Sequence, residues 1–387
     1  MKLGLLIGAG ASYEVGMPLV NELTNIVKVN ILKRIHLFDF KDDKNLKEIF
    51  IFKVKNMTNY EVAIGELENM YLENHSDILH GIIIQFIECI QLLLLEDQIR
   101  IKMFFSEKIK DYYGIKTLFE KYKNINIFSL NHDIIFEEIL RYYDIPYKDC
   151  FYKSNECNYS NLGNFKVLTL EQLKRNNFDW YNENEEGINL LKLHGSIDIF
   201  TAEDETLLLK IDSQYKDFYS LYDEIEKLEK QNIKVCEKDK TRVVNELTVY
   251  DNKNMLQFLR RSLLSGEHKF DNQMQQIIPK EFLEIFNSKL NNLDELVIIG
   301  YSLGDKHINN ILFKWLDNYK KRITIYDPYL ELSEDFRKYE NQISLKKATF
   351  TDFCLDIENK KEEKDSKMKR EILNKIRDDL MQIRLNN

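Results

Sequence analysis

Cysteine is scarce and scattered. The five residues, Cys89, Cys150, Cys157, Cys236 and Cys354, include no Cys-x-x-Cys pair, which argues against a disulfide framework and against a four-cysteine zinc site. Reduced thiols and an N-terminus that opens directly on a strand pattern give a cytoplasmic expectation. Only 4 prolines and 13 glycines occur in 387 residues, so the composition is neither disordered nor collagen-like. Positive charge is in deficit, with a formal net charge of −9; this argues against broad electrostatic capture of nucleic acid, leaving at most an indirect role for it. The most apolar stretch, residues 78–95, is interrupted by His80, Gln85, Glu88 and Gln91. It reads as a helix in a closed bundle or a subunit interface rather than as a membrane span. No carboxylate cluster suggests a two-metal site, and no metal is expected.

What is present is a repeated grammar. Six short β-rich runs, residues 3–7, 125–130, 189–193, 295–299, 322–326 and 343–348, alternate with helical periodicity such as 19–35 and 134–143. Five of them end in a polar or glycine cluster. Buried parallel strands read this way. The expected fold class is α/β, a Rossmann-like parallel sheet within residues 1–357. A helical insertion is expected at about 38–119, a charged, largely helical segment at about 201–291, and a helical tail at 358–387. In the tail Ile372, Ile376, Leu380 and Ile383 share one helical face, which either docks on its own domain or meets another chain.

Ligands of open α/β sheets bind beyond the carboxyl ends of the strands, so each cluster carries two readings. Gly8, Ala9, Gly10, Ala11 and Ser12 can cradle a diphosphate at a helix start, or form a plain turn; Tyr13 stands where the dinucleotide fingerprint wants glycine. Asn131 and Asp133 can be site residues or helix caps, with His132 between them expected to point away. His194, followed by Gly195, is a loop histidine or a base. Gly300, Tyr301, Ser302 and Asp305 form a second glycine turn with a candidate cap. Asp327 can take ribose hydroxyls or, before Pro328, make a turn.

In order and context these clusters resemble the sirtuin family. Gly8-Ala9-Gly10-Ala11-Ser12 with Gly16-Met17-Pro18 is similar to its opening glycine segment. Ser129-Leu130-Asn131-His132-Asp133 looks like its Thr-Gln-Asn-Ile-Asp, His194-Gly195 like its catalytic His-Gly, and Gly300-Tyr301-Ser302 like its Gly-Thr-Ser. The resemblance implies NAD as substrate in a sirtuin-type core. It implies Asn131, His194 and Asp133 as catalytic residues, and the glycine turns, Asp305 and Asp327 as NAD-binding ones. Two departures matter. Leu19-Val20-Asn21 stands where the deacylases carry Asp-Phe-Arg, and the zinc module is missing. The pattern then resembles the sirtuin-like effectors of bacterial antiphage defence, which degrade NAD. That group implies an NAD glycohydrolase, a homo-oligomer and a partner ATPase of the hexameric HerA type. Deacylation, ADP-ribosyl transfer and non-catalytic sensing of NAD or ADP-ribose are the alternatives.

Overall fold

The computed structural model describes residues 2–154, 159–160, 162–202, 206–215, 217–240, 246–263 and 280–386. Its strands in chain order are β1 Leu3–Ile7, β2 Asn124–Ser129, β3 Tyr147–Lys148, β4 Tyr152–Lys153, β5 Tyr159–Ser160, β6 Phe165–Thr169, β7 Gly187–Lys192, β8 Gly195–Ala202, β9 Leu207–Ile211, β10 Glu246–Asp251, β11 Leu256–Leu263, β12 Glu295–Ile299, β13 Arg322–Tyr326 and β14 Ile343–Lys346.

All six apolar runs enter one parallel sheet of order β14-β13-β12-β1-β2-β7-β3. Both of its faces are covered. Leu3, Leu5 and Ile7 pack into a core shared with the N-terminal helices, while Leu6 packs on the other side with Phe286, Ile308 and Leu312. This accounts for continuous apolar strands without alternation. The chain leaves β1 for β2 on one side and later returns to β12 on the other, so the order reverses at β1.

The segment 201–291 departs from expectation. Helices cover Ser220–Asp239 and Glu281–Asn291, but β9 precedes the first of them and β10 and β11 lie between the two. Residues 264–279 are outside the described residues, as is Cys157. These strands complete a second, antiparallel sheet of order β4-β6-β9-β8-β11-β10-β5. Its strands carry charge into the interior: Asp198, Lys210 and Arg261 are buried. Lys210 Nζ lies 3.1 Å from Asp149, 3.5 Å from Glu137 and 3.8 Å from Asp198. Mutual pairing is what allows ionic groups into a core. Burial alone would raise the Asp149 carboxyl, but Lys166 and Lys210 prevail and hold it at about 2.

Residues 38–119 are helical in large part. Among the described residues one helix, Asp77–Arg100, is long and apolar enough to cross a membrane by length and composition. Half of its most apolar window is buried inside the protein, where Leu79, Ile82, Ile83, Phe86 and Ile90 join the core. It lies against the helices Val20–Lys33 and Tyr60–Asn74, while Ile84, Leu92 and Ile99 on the same helix stay exposed. The tail forms a helix, Lys364–Asn386. Its stripe is turned outward, with Ile372, Ile376, Leu380 and Ile383 each between 44% and 56% exposed. The helix docks by its opposite face, through Met381 and a row of arginines.

Glu138, on the helix Ile135–Tyr142, gives the fold a pH signature. Burial pushes its carboxyl up from 4.5 to about 7, against the pull of the Tyr219 amide and Arg141. The folded state therefore holds the proton more tightly than the unfolded chain. This contribution is present in acid and is lost as pH rises from 4.5 through about 7. Relative to Glu138→Gln, the wild type is expected to lose about 3 kcal/mol of unfolding free energy across that window. Denaturant titrations at the two ends check it; parallel losses in both proteins would contradict it.

Candidate functional site

The carboxyl ends of β1, β2, β7, β12 and β13 carry the clusters noted in the sequence, and the first four meet at the reversal of strand order. The β1 turn lies directly on the β12 turn. Gly8 N donates to Ile299 O at 2.9 Å, and Gly10 N to Gly300 O at 2.8 Å. Gly300 has φ +60°, and a Cβ there would lie 2.3 Å from Ala11 N. A Cβ on Gly10 would lie 2.7 Å from Gly300 Cα. These glycines are needed for two backbones to touch, a reason distinct from approach to a phosphate. Gly10 N and Ala11 N are both engaged within the protein, the latter by Gly8 O at 3.0 Å.

Asn131 ties β2 to the same turn. Its Nδ2 donates to Gly8 O at 3.0 Å and to Ser12 Oγ at 2.9 Å. A carbonyl can accept only from the NH2 end, so Gly8 O fixes the way the amide points. Both Nδ2 hydrogens are engaged, and Oδ1 is the atom a ligand can use. Asp133 caps locally, accepting from Ile135 N at 3.1 Å. Its carbonyl receives Lys192 Nζ, which also lies 3.6 Å from the buried Glu137. The charged core between the sheets thus reaches up to the β2 loop.

His194 sits where the chain passes from one sheet to the other. Lys192 ends β7, Gly195 begins β8, and Gly195 takes φ +78°. Its Nε2 lies 3.0 Å from Asp305 Oδ2, with both side chains under 10% exposed. Asp305 also caps the helix Lys306–Leu316 through Oδ1, which accepts from His307 N at 2.8 Å and Ile308 N at 3.2 Å. Asp305 is therefore a cap and a histidine partner at once; its carboxylate is committed to the protein. His132 does not point away: its ring lies 6.2 Å from that of His194, tilted by 37°.

The remaining candidates are more peripheral. Tyr301 is buried, and its hydroxyl accepts from Asp305 N at 2.9 Å and lies 3.0 Å from Asn309, bracing the loop. Ser302 is exposed on that loop. Asp327 makes the turn its sequence allowed, with Oδ1 accepting from Tyr329 N and Leu330 N, each at 2.8 Å.

Two neighbours escaped the sequence reading. Tyr13 ends the short helix Ala9–Tyr13, and the guanidinium of Arg377 lies 4.0 Å from the centre of its ring. Burial pushes the Tyr13 phenol up to about 12 although Arg377 pulls it down. Glu14 is buried and accepts from Thr351 N at 2.8 Å and Thr351 Oγ1 at 3.1 Å. Nothing local in the sequence marks either contact.

Replacing Gly300 by Ala is expected to cost roughly 2–5 kcal/mol, the sum of left-handed strain and overpacking against fixed backbone. An unchanged melting temperature in Gly300→Ala would contradict the interlock of the two turns.

No protein-family model matches the chain, and no curated protein does. Solved structures do. A Sir2 homologue in complex with NAD is 12% identical at a TM-score of 0.39, with 92% of this chain and 87% of that one covered. A Sir2 homologue mutant with 2′-O-acetyl ADP ribose is 10% identical at 0.42, covering 92% and 90%. Sir2Tm bound to a propionylated peptide is 10% identical at 0.39, covering 92% of each chain.

Proposed function

We propose that the crevice at the ends of β1, β2, β7 and β12 binds NAD and hydrolyses its nicotinamide–ribose bond, giving nicotinamide and ADP-ribose. The observation that carries the reading is the meeting of Asn131, the glycine turns and a buried His194–Asp305 pair at the point where strand order reverses. Open α/β sheets commonly bind ligands at such a reversal, which supports the reading.

The chemistry asks little of an acid. Nicotinamide leaves from a cationic ring, so the C–N electron pair returns to a nitrogen that needs no proton. The protein must hold the ribose, stabilise positive charge developing on it and deliver water. Asn131 Oδ1 accepts from a ribose hydroxyl or from the attacking water. His194 serves as general base, and because Nε2 faces Asp305 that role falls to Nδ1. Asp305 orients the imidazole and stabilises it once protonated, as a buried carboxylate does behind a catalytic histidine. Asp133 is assigned to the carboxamide, Gly8 to Ser12 and the Gly300–Ser302 turn to the diphosphate, and Asp327 to the adenosine ribose. Hydrolysis is preferred over deacylation because Leu19-Val20-Asn21 replaces the deacylase motif.

Incubation with NAD should release nicotinamide and ADP-ribose. Asn131→Ala and His194→Ala should each lower turnover at least ~100-fold, the lower end for a positioned catalytic group. Asp305→Asn should remove much of what His194 contributes. Because Asn131 also holds the glycine turn, its variant should lose about 1 kcal/mol per hydrogen bond, so activity is compared among variants shown to be folded. Folded Asn131→Ala or His194→Ala protein that turns over NAD like the wild type would overturn the assignment.

The same reading gives the chain a cytoplasmic role in depleting NAD during antiphage defence, with a HerA-type ATPase as partner. The outward stripe on the tail supports assembly, and a second copy is its proposed occupant. Changing Ile372 and Ile376 together to Glu spares the docked face and should lower the particle mass seen by light scattering. An unchanged mass would remove the stripe from the assembly.

A further inference from the structure

The C-terminal helix Lys364–Asn386 makes ionic and cation–π contacts with the elements around the candidate site at three places. Arg377 stacks its guanidinium over the Tyr13 ring at 4.0 Å, and Tyr13 closes the short helix formed by the β1 turn. Arg370 donates to Asp352 at 2.9 Å and to Glu362 at 2.6 Å. Asp352 belongs to the capping box of the helix Phe350–Glu358, whose Thr351 holds Glu14 through two hydrogen bonds. Arg384 pairs with the buried Asp97. The next residue, Gln98, accepts Ile134 N at 3.0 Å, immediately after Asp133.

These contacts share a direction. The arginines lie on the docked face, and each line ends on a turn that carries a candidate site residue. A helix needed only to cover apolar surface would dock by its apolar stripe, whereas here that stripe faces outward. We propose that Arg377 and Arg370 are positioning residues that set the Gly8–Gly16 turn, Arg377 through Tyr13 and Arg370 through the Thr349–Asp352 cap and Glu14. The consequence for turnover rests on the NAD reading above, since that turn would hold the diphosphate. The consequence for the turn itself does not.

The test is hydrogen exchange on the ligand-free full chain. In Arg377→Gln the amides of residues 8–16 should exchange several-fold to about thirtyfold faster, the range of one partly desolvated cation–π contact. Arg377→Lys should restore most of the protection, since it keeps a cation over the ring. Arg370→Gln should loosen the same amides. Amides of β12 and β13, in the same sheet, should be unchanged and report that the fold survives. If the enzyme cleaves NAD, Arg377→Gln should raise KM more than it lowers kcat, because the turn binds phosphate away from the reacting carbon. Unchanged exchange at residues 8–16 in both arginine variants would overturn the proposal. Loosened exchange in a protein that does not cleave NAD would sustain it while removing the functional reading.

Discussion

The close approach of two glycine turns is the contact on which the rest of the site depends. Gly10 N reaches Gly300 O because neither residue has a Cβ to hold the backbones apart. The contact joins β1 to β12 at the point where strand order reverses. It also settles the path of residues 8–12, and so what Asn131 can reach from β2. Asn131 then ties the third strand to the same turn, and Asp305, on the loop that follows Gly300, reaches His194 at the end of the fourth. A parallel sheet brings such ends to one edge; the glycine contact brings them within hydrogen-bonding distance.

The second constraint is ionic. Lys192, Lys210, Glu137, Asp149 and Asp198 are buried between the two sheets, where unpaired charge is expensive. Their pairing joins β7, β8 and β9 to the helix that follows Asp133. Lys192 connects this cluster to the site by donating to the Asp133 carbonyl. The site thus rests on a buried base of paired charges, which Lys166 extends through Asp149.

The parallel sheet was legible because its strands are continuous apolar runs closed by glycine or polar residues. The bounds of 3–7, 295–299 and 322–326 agree with the structure residue for residue. The antiparallel sheet was not legible. Asp198 interrupts β8, and Arg260 and Arg261 interrupt β11; the charge-rich run 201–291 reads as largely helical until the partners that neutralise its charges are known. The site was legible as a set of strand ends but not as a set of contacts. Asp305 showed its capping role through its place before a helix, whereas its approach to His194 depends on how two distant strands are ordered. Tyr13 and Arg377 lie at opposite ends of the chain, and no local pattern links them.

The most direct test of the central claim is to supply NAD to the full chain in water enriched in oxygen-18 and weigh the products. Hydrolysis at the crevice predicts free nicotinamide and an equal amount of ADP-ribose carrying one heavy oxygen at the anomeric carbon, both lost in His194→Ala. Intact NAD, a product formed without solvent oxygen, or label that persists in folded His194→Ala protein would contradict it.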